Sequence, residues 1–139
     1  MTSVHARFDA RIFQKECRSL SNKGYNVSLV VADGKGDAVV DNIKIFDVGI
    51  ENNRIKRLFN SAKKVKDKAF ELDSDVYHFH DPELIFAGLS LKKLGKKVIF
   101  DMHENVPADI SEKEYIPVFI RKILSVLYEK LENYAVKRF

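Results

Sequence analysis

The chain has 139 residues, 45% apolar and 32% charged, with a net charge of +4 and one cysteine. That length makes one domain able to bury a core, and no apolar run approaches the roughly 20 residues that cross a bilayer. A single cysteine excludes an internal disulfide, and the N-terminus lacks the basic-then-apolar pattern of a signal peptide, so a cytoplasmic chain is expected.

Residues 10–23 place Phe13, Cys17 and Leu20 on one helical face, with Gly24 as the stop signal. Cys17 falls in that register and reads as core, not as a nucleophile. Val27 to Val31 is a β-branched run, a buried strand; Gly34-Lys35-Gly36-Asp37 is a turn; Ile43 to Val48 is a second strand. Helical spacing returns over 54–71 through Ile55, Leu58, Phe59, Ala62 and Val65. A strand over 76–80 leads into a helix over 82–94, with Asp81 as N-cap, Pro82 in the first helical position and Gly95 beyond its end. A strand over 97–101 follows, then a loop holding Pro107. A long helix runs from about Pro117 to Phe139, with Ile120, Ile123, Leu124, Leu127, Leu131 and Tyr134 on its buried face.

Strands alternating with helices predict an α/β fold, doubly wound, with a mainly parallel sheet and helices on both faces. The strands near 27–31, 43–47, 76–80 and 97–101 are expected in one sheet. The chain opens on a loop and a helix, although Thr2-Ser3-Val4 reads as the tail of a strand, and it stops where the alternation calls for another. The expectation is a single domain over 1–139, cut at both ends, with a gap where a central first strand would lie.

The excess positive charge sits in the 54–71 helix: Arg54, Lys56, Arg57, Lys63, Lys64, Lys66 and Lys68 against Asp67 and Glu71. The plain reading is a solvated amphipathic face. The sharper one is a peripheral contact with an anionic membrane at its inner face, worth about 1 kcal/mol per basic residue near the lipid. No recognition motif or aromatic platform accompanies these charges, so nucleic acid is not an expected partner.

Two apolar runs end in histidine and carboxylate: Val76-Tyr77-His78-Phe79-His80-Asp81-Pro82-Glu83 and Val98-Ile99-Phe100-Asp101-Met102-His103-Glu104. In a parallel sheet both emerge at the carboxyl edge, where open α/β sheets bind ligands. Alternation puts Val76, His78 and His80 on one face. Only His80 lies at the strand end, so His78 reads as a packed interior histidine. Asp81 and Glu83 suit a helix start, and the free N–H groups there suit an anion or a sugar hydroxyl. His103 follows a strand without opening a helix, so its imidazole is the best candidate for a functional side chain.

A metal reading has the right ligand types in His78, His80, Asp81, His103 and Glu104. Period-two histidines are common in strands, however, and no further ligand cluster appears, so no metal is expected. Gly34-Lys35-Gly36 lacks the length and ending of a phosphate-binding P-loop. Neither a Gly-x-Gly-x-x-Gly nor a Gly-x-Ser-x-Gly motif occurs, which leaves no anchor for a dinucleotide and no hydrolase elbow. No cofactor is expected.

The run Thr2-Ser3-Val4-His5-Ala6-Arg7-Phe8-Asp9-Ala10-Arg11-Ile12-Phe13, with Lys15-Glu16-Cys17 and Leu20, resembles the opening loop and first helix of family 4 glycosyltransferases. The His-Phe-His-Asp-Pro-Glu-Leu run at 78–84 and Asp-Met-His-Glu at 101–104 are similar to that family's N-terminal domain in order and spacing. So is Tyr115-Ile116-Pro117 before a helix carrying Tyr128 and Glu129. The resemblance implies a GT-B enzyme: two Rossmann-like domains facing a cleft, with retention at the anomeric carbon. Its N-terminal domain receives the acceptor, and its C-terminal domain holds the nucleotide sugar and a paired-glutamate motif.

By that resemblance, His103 corresponds to the cleft histidine that contacts the transferred sugar, and is the catalytic candidate. His80, Asp81 and Glu83 would line the acceptor side, with Glu104 beside them as a further substrate-binding residue. His5, Arg7, Asp9 and Arg11 fall in the loop that faces the donor phosphates, where an arginine can grip a pyrophosphate through two hydrogen bonds. The expected function is the acceptor-side domain of a retaining glycosyltransferase that moves a sugar from a nucleotide-sugar donor to a glycan or lipid-linked acceptor, in bacterial cell-surface polysaccharide synthesis. Its partner is a C-terminal donor-binding domain or chain, and alone it is expected to be inactive. The alternatives are a non-catalytic binding module from a split or degenerate chain, and a metal-dependent hydrolase using His78, His80 and His103.

Overall fold

The computed structural model describes residues 1–53 and 57–139. The first helix, α1, opens in wide π-type turns over Ala10–Cys17 and continues as α-helix over Arg18–Asn22. Asp9 caps it, its carboxylate accepting from the N–H groups of Arg11 and Ile12. The wide turns bring Ile12 onto the buried face with Phe13 and Cys17, whereas Leu20, expected there too, is 43% exposed.

Strand β1 (Ser28–Val31) pairs parallel with β3 (Ile43–Asp47), Ser28 opposite Lys44 and Val31 opposite Asp47. Between them in sequence lies a strand the periodicity did not predict, β2 (Ala38–Val40), antiparallel to β3. Its two-residue turn is Asp41-Asn42, with φ of 52° and 61°. Tight hairpins of this kind need positive φ at both central residues, and aspartate and asparagine tolerate it. That pair was the readable signal for β2.

The next helix, α2, starts in π-type turns over Arg57–Ser61 and continues over Ala62–Leu72, burying Val65 and Ala69. Arg54, Ile55 and Lys56, read as part of this helix, lie outside the described residues. Strand β4 (Val76–Phe79) pairs parallel with β5 (Lys97–Phe100), Val76 opposite Lys97 and Phe79 opposite Phe100. Helix α3, a 3-10 turn over Pro82–Leu84 followed by Ile85–Lys93, joins them.

Helices cover both faces. Leu29, Val31, Ile43 and Ile45 point to α1, where they pack with Ile12, Phe13 and Cys17. Val30, Tyr77, Phe79 and Val98 point the other way and pack with α2, α3 and Ala135. Successive strand residues alternate faces, so one short run serves two cores. The approach of α3 to β4 is close: a Cβ on Gly88 would sit 2.6 Å from Cε1 of Phe79.

The hydrogen bonding divides the strands into two sheets, β1-β3-β2 and β4-β5, instead of the one continuous sheet expected. The first residues occupy the seam. The amine of Met1 donates to the His78 carbonyl at 2.6 Å, and the Thr2 N–H donates to the Val30 carbonyl at 2.9 Å. Residues 1–2 thus lie between the two sheets, hydrogen-bonded to a strand of each.

Two expectations toward the C-terminus fail. The segment around Pro107 is a helix, α4 (Val106–Glu112), not a loop; the Asn105 side chain accepts from Ala108 N–H at 3.3 Å and Pro107 sits in the first turn, which tolerates it. The last helix, α5 (Val118–Val136), leaves most of its supposedly buried face open: Ile120, Ile123, Leu124, Leu127 and Tyr134 are exposed. Only its C-terminal half reaches the core, through Tyr128, Leu131 and Ala135. Among the described residues no helix is long and apolar enough to cross a membrane.

Candidate functional site

Each of the four parallel-paired strands ends at or just before an aspartate: Asp33 after β1, Asp47 closing β3, Asp81 after β4 and Asp101 after β5. The segment 2–11 ties to all four. Arg7 grips Asp33 with Nε at 2.7 Å and Nη2 at 2.6 Å, donates to the Gly36 carbonyl at 2.9 Å and lies 4.0 Å from Asp47. Arg11 makes the same two-pronged contact with Asp101, at 2.7 and 2.8 Å. Asp81 accepts from the Thr2 hydroxyl at 2.8 Å, the Ser3 hydroxyl at 3.0 Å, the Ser3 N–H and the Val4 N–H at 3.3 Å.

The electrostatics follow from these partners. Burial pushes the Asp81 carboxyl up, but hydrogen bonds from His5, Ser3 and Thr2 outweigh it and hold the group below its ordinary range. In return Asp81, 3.3 Å from Nε2 of His5, raises that histidine's affinity for a proton. The Arg7 guanidinium holds Asp33 low. Burial also raises Asp101, and Arg11 reverses the sign.

A second group lies beneath this edge. The side chain of His80 is 1% exposed, with Nε2 at 3.0 Å from Glu16 Oε2 and Nδ1 at 3.3 Å from Asp101 Oδ2. Burial and the neighbouring His78 lower its pKa to about 4, so the ring is neutral at physiological pH. His78, expected to be interior, is the more open of the pair at 31% exposed, with Nδ1 at 3.6 Å from the same Glu16 oxygen. Burial thus increases from His78 to His80, the reverse of the expected order.

His103 is exposed at the same edge as His80, as the parallel pairing of β4 and β5 requires, with Nδ1 at 3.2 Å from the Asp101 carbonyl oxygen. Its ring centre lies 6.0 Å from that of His80 and 6.1 Å from that of His5. Glu104 is exposed beside it, and Glu83 accepts from the Ser3 hydroxyl at 3.1 Å. The expected residues His5, Arg11, His80, Asp81, Glu83, His103 and Glu104 therefore gather at one edge.

Two others have structural duties at the strand ends, Asp9 with Oδ2 3.8 Å from His5 Nδ1. Arg7 is 6% exposed and committed to β1 and β3, and Asp9 is chiefly the cap of α1. Asp81 stands at the expected N-cap position of α3, but its side chain makes no cap hydrogen bond and serves the segment 2–5 instead. Sequence reasoning missed Glu16 and the anchoring carboxylates Asp33 and Asp47. The aspartate recurring at each strand end was the signal for the latter; Glu16 had none, since only the fold brings α1 under β4.

The family described as Glycosyltransferase Family 4 matches residues 10–139. No curated protein and no solved structure matches the chain.

Proposed function

The chain belongs to glycosyltransferase family 4, and from that premise we propose that it forms the acceptor-side half of a retaining glycosyltransferase that uses a nucleotide-sugar donor. The observation that carries the reading is the open imidazole of His103, which stands at the strand-end edge with His5 and His80 about one ring-width away and the buried Asp81 behind them. An edge lined with imidazoles and carboxylates suits sugar hydroxyls, which both donate and accept hydrogen bonds.

In the proposed reaction the bond between the anomeric carbon and the nucleotide diphosphate breaks, the acceptor hydroxyl oxygen takes its place on the same face, and the diphosphate leaves with the bonding electron pair and takes up the hydroxyl proton. Positive groups aimed at the charge of the departing diphosphate lower the barrier. His103 holds the transferred sugar near its reacting carbon; Glu83 and Glu104 face the acceptor. The donor pocket belongs to a C-terminal domain or chain with which this one would pair. A glycan or lipid-linked acceptor in bacterial cell-surface polysaccharide synthesis is the setting we propose. The basic helix α2 is a secondary contact for an anionic membrane, since Lys63, Lys64 and Lys68 already pair with Asp67, Glu51 and Glu71.

Two experiments test this. Calorimetry of the 139-residue chain with uridine and guanosine diphosphates should show only weak binding; a dissociation constant of about 1 μM would place a full nucleotide site here and end the reading. With the chain joined to its donor-binding partner, His103→Ala should lower turnover about 100-fold or more while the fold persists. Near-normal turnover would remove His103 from the reaction.

A further inference from the structure

Glu16, His78, His80 and Asp101 offer ligand atoms that all lie within 4.8 Å of one another, under the edge that carries His103 and not including it. Three of these atoms converge. Glu16 Oε2 is 3.0 Å from His80 Nε2 and 3.6 Å from His78 Nδ1. Four-coordinate zinc, with bonds near 2.0–2.1 Å, spaces its ligand atoms about 3.4 Å apart. The two separations bracket that value.

The proton count points the same way. Both ring nitrogens of His80 face carboxylate oxygens, Nε2 toward Glu16 and Nδ1 toward Asp101. A neutral imidazole carries one N–H and serves only one of them; the other contact sets two lone pairs against each other. The opposite nitrogens, Nδ1 of His80 and Nε2 of His78, make no hydrogen bond, and it is Nε2 of His80 and Nδ1 of His78 that are turned to Glu16. A cation between Nε2 and Glu16 removes the conflict. Nδ1–H then faces Asp101, the carboxylate behind a ligating histidine that fixes its tautomer and ring orientation. Asp101 is itself held by the Arg11 fork.

We propose that Glu16 Oε2, His78 Nδ1 and His80 Nε2 bind a divalent transition-metal ion of the zinc type, with Asp101 orienting His80 and the fourth position open. The ligands come from α1, β4 and the turn after β4, so the ion fastens the first helix to the strand end. Access exists, because Glu16 and His78 are both partly exposed. Of the nearby cations, Arg11 is forked onto Asp101 and lies 3.5 Å from Glu16 Oε1, which leaves Oε2 turned to the two histidines. The site goes beyond the glycosyltransferase reading and does not depend on it.

The test is titration of the chelator-stripped chain with zinc by calorimetry, and with cobalt by visible absorption. The expected result is one ion per chain with a dissociation constant of about 1 μM or tighter, cobalt bands of a four- or five-coordinate site, and a raised thermal midpoint. Glu16→Gln and His80→Ala should each weaken binding at least about 100-fold and Asp101→Asn about 10-fold, whereas His103→Ala should bind as the parent does. Circular dichroism identifies any variant that fails to fold, and Glu16→Gln keeps the shape of the site if His80→Ala does not. Absence of binding tighter than about 100 μM, or binding that survives Glu16→Gln and His80→Ala in folded protein, would overturn the proposal.

Discussion

The ends of β4 and β5 carry the same residue types and use them in opposite ways. At the end of β4, Asp81 is buried and gathers the Thr2 and Ser3 hydroxyls, two backbone N–H groups and the His5 ring. At the end of β5, His103 and Glu104 are exposed, and Nδ1 of His103 lies against a carbonyl two residues back. One end has become a structural anchor and the other remains open to a ligand. Residue type and position along a strand are therefore insufficient to mark function; the partners already engaged decide it.

Asp81→Ala should break this contrast most visibly, lowering stability by about 4 kcal/mol in denaturant titration, because several donors would be left facing an empty buried space. A loss under about 1 kcal/mol would mean that the anchor is not one. Arg7→Ala should follow, at about 2–3 kcal/mol, by leaving Asp33 and Asp47 without their cation.

The same variant carries a pH signature. Asp33 has a lowered folded pKa, so its contribution is complete above the unfolded value of about 4 and is lost as pH falls through the lower folded value. Stability of the parent should fall through that acid window more steeply than that of Arg7→Ala, and equal slopes would disconnect Arg7 from Asp33. Gly88→Ala comes next, at about 1–2 kcal/mol, since its methyl group would press into the Phe79 and Phe139 rings. His103→Ala should change stability least, by no more than about 0.5 kcal/mol. A larger loss would make both strand ends structural and leave the edge without its open imidazole.

The edge itself was legible in the sequence because two period-two runs end in histidine and carboxylate, and parallel pairing carries both to one side. The core position of Cys17 and the stop at Gly95 were local signals, and the structure contains them. What was illegible is non-local. Nothing near Arg7 names Asp33 as its partner across 26 positions, and nothing near Glu16 announces two histidines more than sixty residues on. The stripe on α5 showed that an apolar face exists but not what covers it; Phe119 at 75% exposed marks how far that face extends beyond the core. Even the burial order of His78 and His80 depended on distant groups, since Glu16 and Asp101 enclose His80.

The anchoring of residues 2–5 has a kinetic consequence. Chain ends ordinarily fray, and their amide hydrogens exchange with solvent almost at once. Here the amides of Thr2, Ser3, Val4 and His5 donate to the Val30 carbonyl, to Asp81 or to the Thr2 hydroxyl. Opening any of them means drawing the segment out of the seam between the two sheets. In hydrogen–deuterium exchange these four amides should behave like those of a central strand, releasing their protons on the timescale of β1 and β4 and well after those of the solvent-facing α5.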